Sequence, residues 1–168
     1  MRVLVSAAGR HGSTLEIARR IAVALRGGLP DNAVVDVLDA ADVTDVASYD
    51  AVVLGSAIYM GRLHPDAREF LQRYPTGSTA LPIAVFAMGP RTLAERDLAS
   101  SRAQLDAALA KEPELRPFAT VIFGGVFDPA HQHFPFNRLP ASDARDWKAI
   151  EAWADGVAAR FTLSAAAA

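Results

Sequence analysis

An α/β fold with a parallel, doubly wound sheet is predicted by three features of the sequence. Five short apolar runs rich in Val, Ile and Phe are nearly continuous rather than alternating, as in strands covered on both faces. Helical patterns separate most of these runs, which makes the connections crossovers and the strands parallel. Glycine-containing turns follow four of the runs directly, and in such sheets ligands sit outside the carboxyl ends of the strands.

The first strand, residues 3–5, runs into SAAGRHGST at residues 6–14, a turn small enough for the backbone to approach a ligand closely. Ser13 and Glu16 have the spacing of a capping box, so a helix is expected over 14–26 with Ile17, Ile21 and Leu25 on one face. Such a turn points N–H groups, hydroxyls and a positive helix end in one direction, the arrangement that binds phosphate. The second strand is 34–38, and residues 42–48 read as a short or irregular crossover. The third strand, 51–54, is followed by the turn GSAIYMG at 55–61. A helix over 65–74 carries Ala67, Phe70, Leu71 and Tyr74 on one face, with His64 in its N-cap region before Pro65. The fourth strand, 83–86, opens onto Ala87-Met88-Gly89-Pro90. A helix from Leu93 to about Lys111 follows, with Thr92 and Glu95 as a second capping-box pair. The fifth strand, 120–123, opens onto Gly124-Gly125-Val126-Phe127, and a long irregular piece spans 128–144. The last helix is expected over 145–161 with Trp147, Ile150, Ala154, Val157 and Phe161 facing inward.

The chain has 168 residues, 51% apolar and 21% charged, which fits one globular domain. That domain is expected over 1–162, with 163–168 as a frayed tail. A formal charge of −2 without a basic stripe argues against nucleic acid as a partner. There is no cysteine, which excludes disulfides, thiolate nucleophiles, Fe–S clusters and cysteine-ligated zinc. No apolar run approaches a membrane span, and the N-terminus reads as a strand rather than a signal peptide. A cytoplasmic location is expected, with membrane contact at most peripheral.

The motifs SAAGRHGST, GSAIYMGR, AMGP, FGG and ARDWKAIEAWA together resemble the flavodoxin-domain family. Within it they are most similar to the menaquinone-dependent protoporphyrinogen oxidase-like flavodoxin-domain proteins of bacteria, over nearly the whole chain. The resemblance implies a flavodoxin-like five-stranded parallel sheet of order 2-1-3-4-5 with FMN at its carboxyl edge. Gly12-Ser13-Thr14 followed by Ala18 matches the family's phosphate-loop pattern. Gly9, Arg10, His11, Gly12, Ser13 and Thr14 are thereby expected at the phosphate. Ser56, Ala57, Ile58, Tyr59, Met60 and Gly61 are expected in the first ring-flanking loop, and Met88, Gly89 and Pro90 in the second. Gly124, Gly125 and Phe127 follow the fifth strand on the same edge. Flavodoxins usually carry hydroxyl residues where Gly9, Arg10 and His11 stand; here Arg10 either makes a charge-assisted phosphate contact or faces solvent. The second loop has no aromatic to stack on the flavin, which leaves Tyr59, and less directly Phe127, as the stacking residue. A ring face left open suits a substrate or a quinone.

The activity implied is that of an FMN-dependent oxidoreductase, in its most specific form a protoporphyrinogen-type dehydrogenation with a quinone acceptor. The alternatives are a non-enzymatic electron carrier for a redox protein, a deazaflavin (F420) binder, and a domain that has lost its cofactor. The charge of −2 fits poorly with the strongly acidic electron carriers. No nucleophile arrangement or carboxylate pair stands out, so no catalytic side chain and no metal site is assigned. His131 and His133, with Asp128 nearby, lack a third ligand and read as solvent-facing loop histidines. Phe134, Pro135, Phe136 and Leu139 are expected to form a substrate wall, a homodimer contact, a membrane-facing lip, or packing against the domain.

Overall fold

Continuous runs of β-branched residues buried on both faces organise the chain around one twisted sheet. The computed structural model describes residues 1–74, 81–112, 115–131 and 133–166. The strands are β1 (Arg2–Ala8), β2 (Val34–Asp39), β3 (Ala51–Tyr59), the two-residue β4 (Arg62–Leu63), β5 (Ile83–Met88) and β6 (Ala119–Phe123). The main sheet has the order β2-β1-β3-β5-β6, all parallel, with β4 added antiparallel to the end of β3. Counting only the five parallel strands, this is the 2-1-3-4-5 order that the resemblance implies. A separate two-stranded ribbon pairs β7 (Val126–Phe127) with β8 (Ser142–Asp143).

The crossovers place helices on both faces. Helices α1 (Ser13–Gly28) and α4 (Trp147–Ala166) cover one face, where Ile17, Ile21 and Leu25 meet Ile150, Ala154, Val157 and Phe161 under the odd-numbered residues of β1. Helices α2 (Pro65–Arg73) and α3 (Glu95–Leu109) cover the other with Phe70, Leu71, Leu105 and Ala108. Each large aliphatic side chain fully buried here contributes about 1.5–3 kcal/mol. The connection after β2 is a short 3-10 turn, Ala40–Asp42, then an irregular stretch. Trp147 and Trp153 are only partly buried and pack on the flank of the α1/α4 core. The ring of Phe86 crosses the sheet at Gly55, where any Cβ would fall inside it. Glycine is required there for packing, not for a turn.

The helix starts differ from those expected. No side chain caps α1: its N-cap is Gly12, in the left-handed region at φ 78°. The Ser13–Glu16 capping box therefore does not form, because the left-handed glycine starts the helix one residue early. Glu16 instead pairs with Arg145. The Thr92–Glu95 box does not form either. The Thr92 hydroxyl accepts from the Ala94 N–H and donates to Asp97, and α3 begins later, at Glu95. His64 does cap α2, its Nδ1 accepting from the Asp66 N–H at 3.3 Å. The strands run further toward the carboxyl edge than expected, so Gly55–Tyr59 belongs to β3 and the turn is confined to Met60-Gly61. The last helix begins at Trp147 and continues to Ala166, into the segment expected as a tail.

Candidate functional site

The carboxyl ends of β1, β3, β5 and β6 open onto one cleft. Arg10, His11, Ser13 and Thr14 line it from the β1–α1 loop, and Ala57, Ile58 and Tyr59 from the end of β3. Met88 and Gly89 close it from β5; Gly125, Val126, Asp128 and His131 complete it from the segment after β6. At about 220 Å³ the cleft lies below the roughly 300–1,000 Å³ of enclosed ligand pockets. A ligand larger than this stays partly exposed.

One end is built to receive an anion. The first turn of α1 starts at the cleft-lining Ser13 and Thr14 without a side-chain cap, and the helix dipole adds partial positive charge there. Arg10 stands over the Tyr59 ring, 5.5 Å from its centroid, a cation–π contact. His11 stacks on His131 with ring centroids 4.7 Å apart and planes 22° from parallel. The Nδ1 of His131 lies 3.2 Å from an Asp128 carboxylate oxygen. The other end is held by backbone. The Gly89 N–H donates to the Phe123 carbonyl at 3.0 Å, and the Gly125 N–H to the Pro90 carbonyl at 2.8 Å.

Eight of the residues expected at the site lie outside the lining. Gly9 sits against the Thr14 side chain, where a Cβ would collide with it, and Gly12 shapes the turn. Ser56 is buried; its hydroxyl donates to the Ala57 carbonyl at 2.8 Å and accepts from the His64 N–H at 2.9 Å. Met60 and Gly61 form the exposed β3–β4 turn, both at positive φ. Pro90 is buried, and Gly124 is pressed against the Ala144 backbone. Phe127 lies under the Arg91 guanidinium, 4.1 Å from its ring centroid, so it is no free stacking surface. Tyr59 remains, 44% exposed at the cleft wall. Sequence reasoning missed Val126, Asp128 and His131. The signal for the last two was their i,i+3 spacing across a Pro-initiated turn. His131 partners His11 and Asp128 rather than facing solvent alone, while His133 lies exposed outside the lining.

The segment between β6 and α4 forms a strap. Its two ends pair as β7 and β8, and the Ala144 N–H donates to the Gly125 carbonyl at 3.0 Å. Arg91 donates to the Pro140 carbonyl at 2.9 Å. Arg145 binds Asp143 at 2.6 Å, pairs with Glu16 of α1 and covers the Trp147 ring at 4.7 Å. On the strap, Phe134 and Phe136 are 70% and 57% exposed, which rules out packing of these two rings back against the domain. Hydrogen bonding from Arg145 holds the Asp143 carboxyl below the ordinary carboxylate range, and the same partners push the Arg145 guanidinium up. A depressed carboxylate stabilises the fold above its unfolded value and loses that contribution as pH falls through the folded one. The strap end is thus expected to loosen only below about pH 4. Tryptophan emission follows this through Trp147; Asp143→Asn alters emission at neutral pH and abolishes the acid step.

Among the described residues no group of three or more His, Cys, Asp or Glu is placed to hold a metal ion. No described helix is long and apolar enough to cross a membrane.

Fold and cleft together define a doubly wound α/β domain with an anion-receptive site at the carboxyl edge of its sheet. The chain belongs to the flavodoxin domain family, whose profile matches residues 4–133. Among solved structures it is similar to oxidised flavodoxin 1 from Bacillus cereus, at 16% identity and TM-score 0.55, over 96% of this chain and 97% of that one. The flavodoxin of Streptococcus pneumoniae TIGR4 matches at 14% identity and TM-score 0.61, over 98% and 99%. Rubredoxin oxygen:oxidoreductase from Desulfovibrio gigas matches at 13% identity and TM-score 0.56, over 96% of this chain but 36% of that one. At these identities the likeness bears on the fold. Comparison with curated proteins finds no match.

Proposed function

We propose that the chain is an FMN-dependent oxidoreductase of two-electron chemistry, with a small apolar molecule or a quinone as its redox partner. Membership of the flavodoxin domain family makes FMN the cofactor, and the cleft fits it. The uncapped start of α1, with Ser13, Thr14 and Arg10, suits a phosphate monoester. Ala57, Ile58, Tyr59, Met88 and Gly89 suit the ring, with the backbone at Gly89 and Ala57 near enough to the cleft to orient it. When bound, FMN supplies hydride and electron transfer. The protein's part is to bind it, orient it and admit the second reactant.

The observation that carries the oxidoreductase reading is the exposed apolar border of the cleft. Tyr59 and Val126 leave apolar surface at the wall of an incompletely enclosed site, and the strap adjoining it carries the exposed Phe134 and Phe136. Such surface favours an apolar reactant over tight insulation of the cofactor. Protoporphyrinogen-type dehydrogenation with quinone as acceptor is the most specific form of this reading. It includes a cytoplasmic location, with the strap available for peripheral membrane contact or pairing with a second copy. The test is anaerobic reduction of the FMN-loaded protein followed by mixing with a soluble quinone, and turnover of a porphyrinogen. Rapid reoxidation by quinone is expected; a loaded protein inert toward both reactants sinks the reading.

A second reading, an electron carrier, is favoured by the near-complete coverage of single-domain flavodoxins, 97% and 99% of those chains. It requires steeply salt-dependent reduction by a protein reductase.

A further inference from the structure

The least expected feature of the cleft is the contact between the β1–α1 loop and the strap. His11 and His131 are distant in sequence, yet their rings stack at 4.7 Å. Asp128 faces the Nδ1 of His131 at 3.2 Å, leaving the Nε2 edge of that ring for another partner. Both imidazoles and Asp128 line the cleft, beside the uncapped start of α1. The other ionisable groups facing the pair are Arg10 and Tyr59 across the cleft. Arg138 lies on the next turn of the strap, which packs against the His131 turn.

Two stacked imidazoles repel one another when both are charged, which works against a double positive charge at this spot. A phosphate placed at the start of α1 offsets this, because its negative charge favours the protonated imidazole beside it. We propose that the cofactor phosphate is gripped from two sides, by the β1–α1 loop and by His131 of the strap, so that FMN binding takes up a proton and fastens the strap. Asp128 is a positioning residue that fixes the His131 ring. Discrimination for phosphate monoesters then comes from titratable charge in addition to backbone N–H groups. The inference rests on the FMN reading and deepens it.

A direction and a window follow. Imidazole gains charge as pH falls through about 6.5, whereas a phosphate monoester loses its second charge below about pH 6. FMN affinity therefore rises between pH 8 and 6.5 and declines again below 6. Riboflavin, which lacks the phosphate, is the internal reference, and the ratio of FMN to riboflavin affinity removes effects on the fold and on the ring site.

The experiment titrates the full chain with FMN and with riboflavin at pH 8.0 and 6.5, following quenching of flavin fluorescence. The wild-type ratio is expected to rise about five- to tenfold at the lower pH, the size set by charging one imidazole near neutrality. His131→Gln lowers the ratio at pH 6.5 to its value at pH 8, and Asp128→Asn shifts the transition. His133→Gln, outside the cleft, keeps the wild-type rise. A wild-type ratio equal at both pH values, or a rise that survives in His131→Gln, overturns the two-sided grip while leaving FMN binding intact. Failure of either flavin to bind at any pH overturns the cofactor reading together with the inference.

Discussion

Ser13→Asp is expected to lower FMN affinity by about 100-fold or more and to leave the fold intact. Ser13 lines the cleft at the first residue of α1, where the proposed reading puts the phosphate of FMN. For two unit charges about 5 Å apart at an effective dielectric of about 20 the repulsion is about 3 kcal/mol, a little over 100-fold, which is the size expected if the phosphate binds at the start of α1. The introduced carboxylate lies in the first helical turn, where negative charge favours the macrodipole. Thermal melting is therefore expected to stay level or rise while binding collapses. Ser13→Ala separates the added charge from the lost hydroxyl and costs only a few-fold. Riboflavin separates phosphate from ring: its affinity is retained in Ser13→Asp if the phosphate sits at α1. An equal loss for both flavins contradicts that placement.

Phe86→Ala is expected to cost about 3–5 kcal/mol of folding stability. Phe86 is fully buried and heads the largest core side chains. Its ring centroid lies 6.1 Å from that of Phe123 and 6.3 Å from that of Trp153, and it passes across Gly55. The sheet cannot collapse into the vacancy, because Gly55 has no side chain and the neighbouring strands are fixed by their ladders. Urea unfolding reads the effect as a lower midpoint with an unchanged slope. A shift of less than about 1 kcal/mol contradicts the packing described.

Strand identity and the glycine turns at the carboxyl edge were legible because each rests on local pattern, whereas the strand order came from the family resemblance. Continuous Val, Ile and Phe runs mark buried strands, and the short turn at residues 9–12 joins β1 to α1 without interruption. The β1–α1 end of the cleft was legible for the same reason: Arg10, His11, Ser13 and Thr14 fall within five consecutive residues, and all four line it. The ring end was legible only in part. Whether a residue near the end of β3 faces the cleft depends on strand alternation and on where the hairpin turns. Ala57, Ile58 and Tyr59 line it, while Ser56 turns to the α2 cap and Met60 to solvent. The capping boxes failed because a side-chain spacing does not reveal a left-handed N-cap at Gly12. The strap was least legible. Its fixing contacts, His11 with His131, Glu16 with Arg145 and Arg91 with Pro140, join residues far apart in sequence. Local periodicity carries no trace of such pairs.

The central claim is that this carboxyl-edge cleft holds one FMN. The most direct measurement is the visible spectrum of the purified chain, after reconstitution with excess flavin where needed. Mass identification and quantitation of the chromophore released on denaturation complete it. The account predicts a flavin spectrum and FMN at one molecule per chain. Release of a deazaflavin, or no retained flavin after reconstitution, contradicts it.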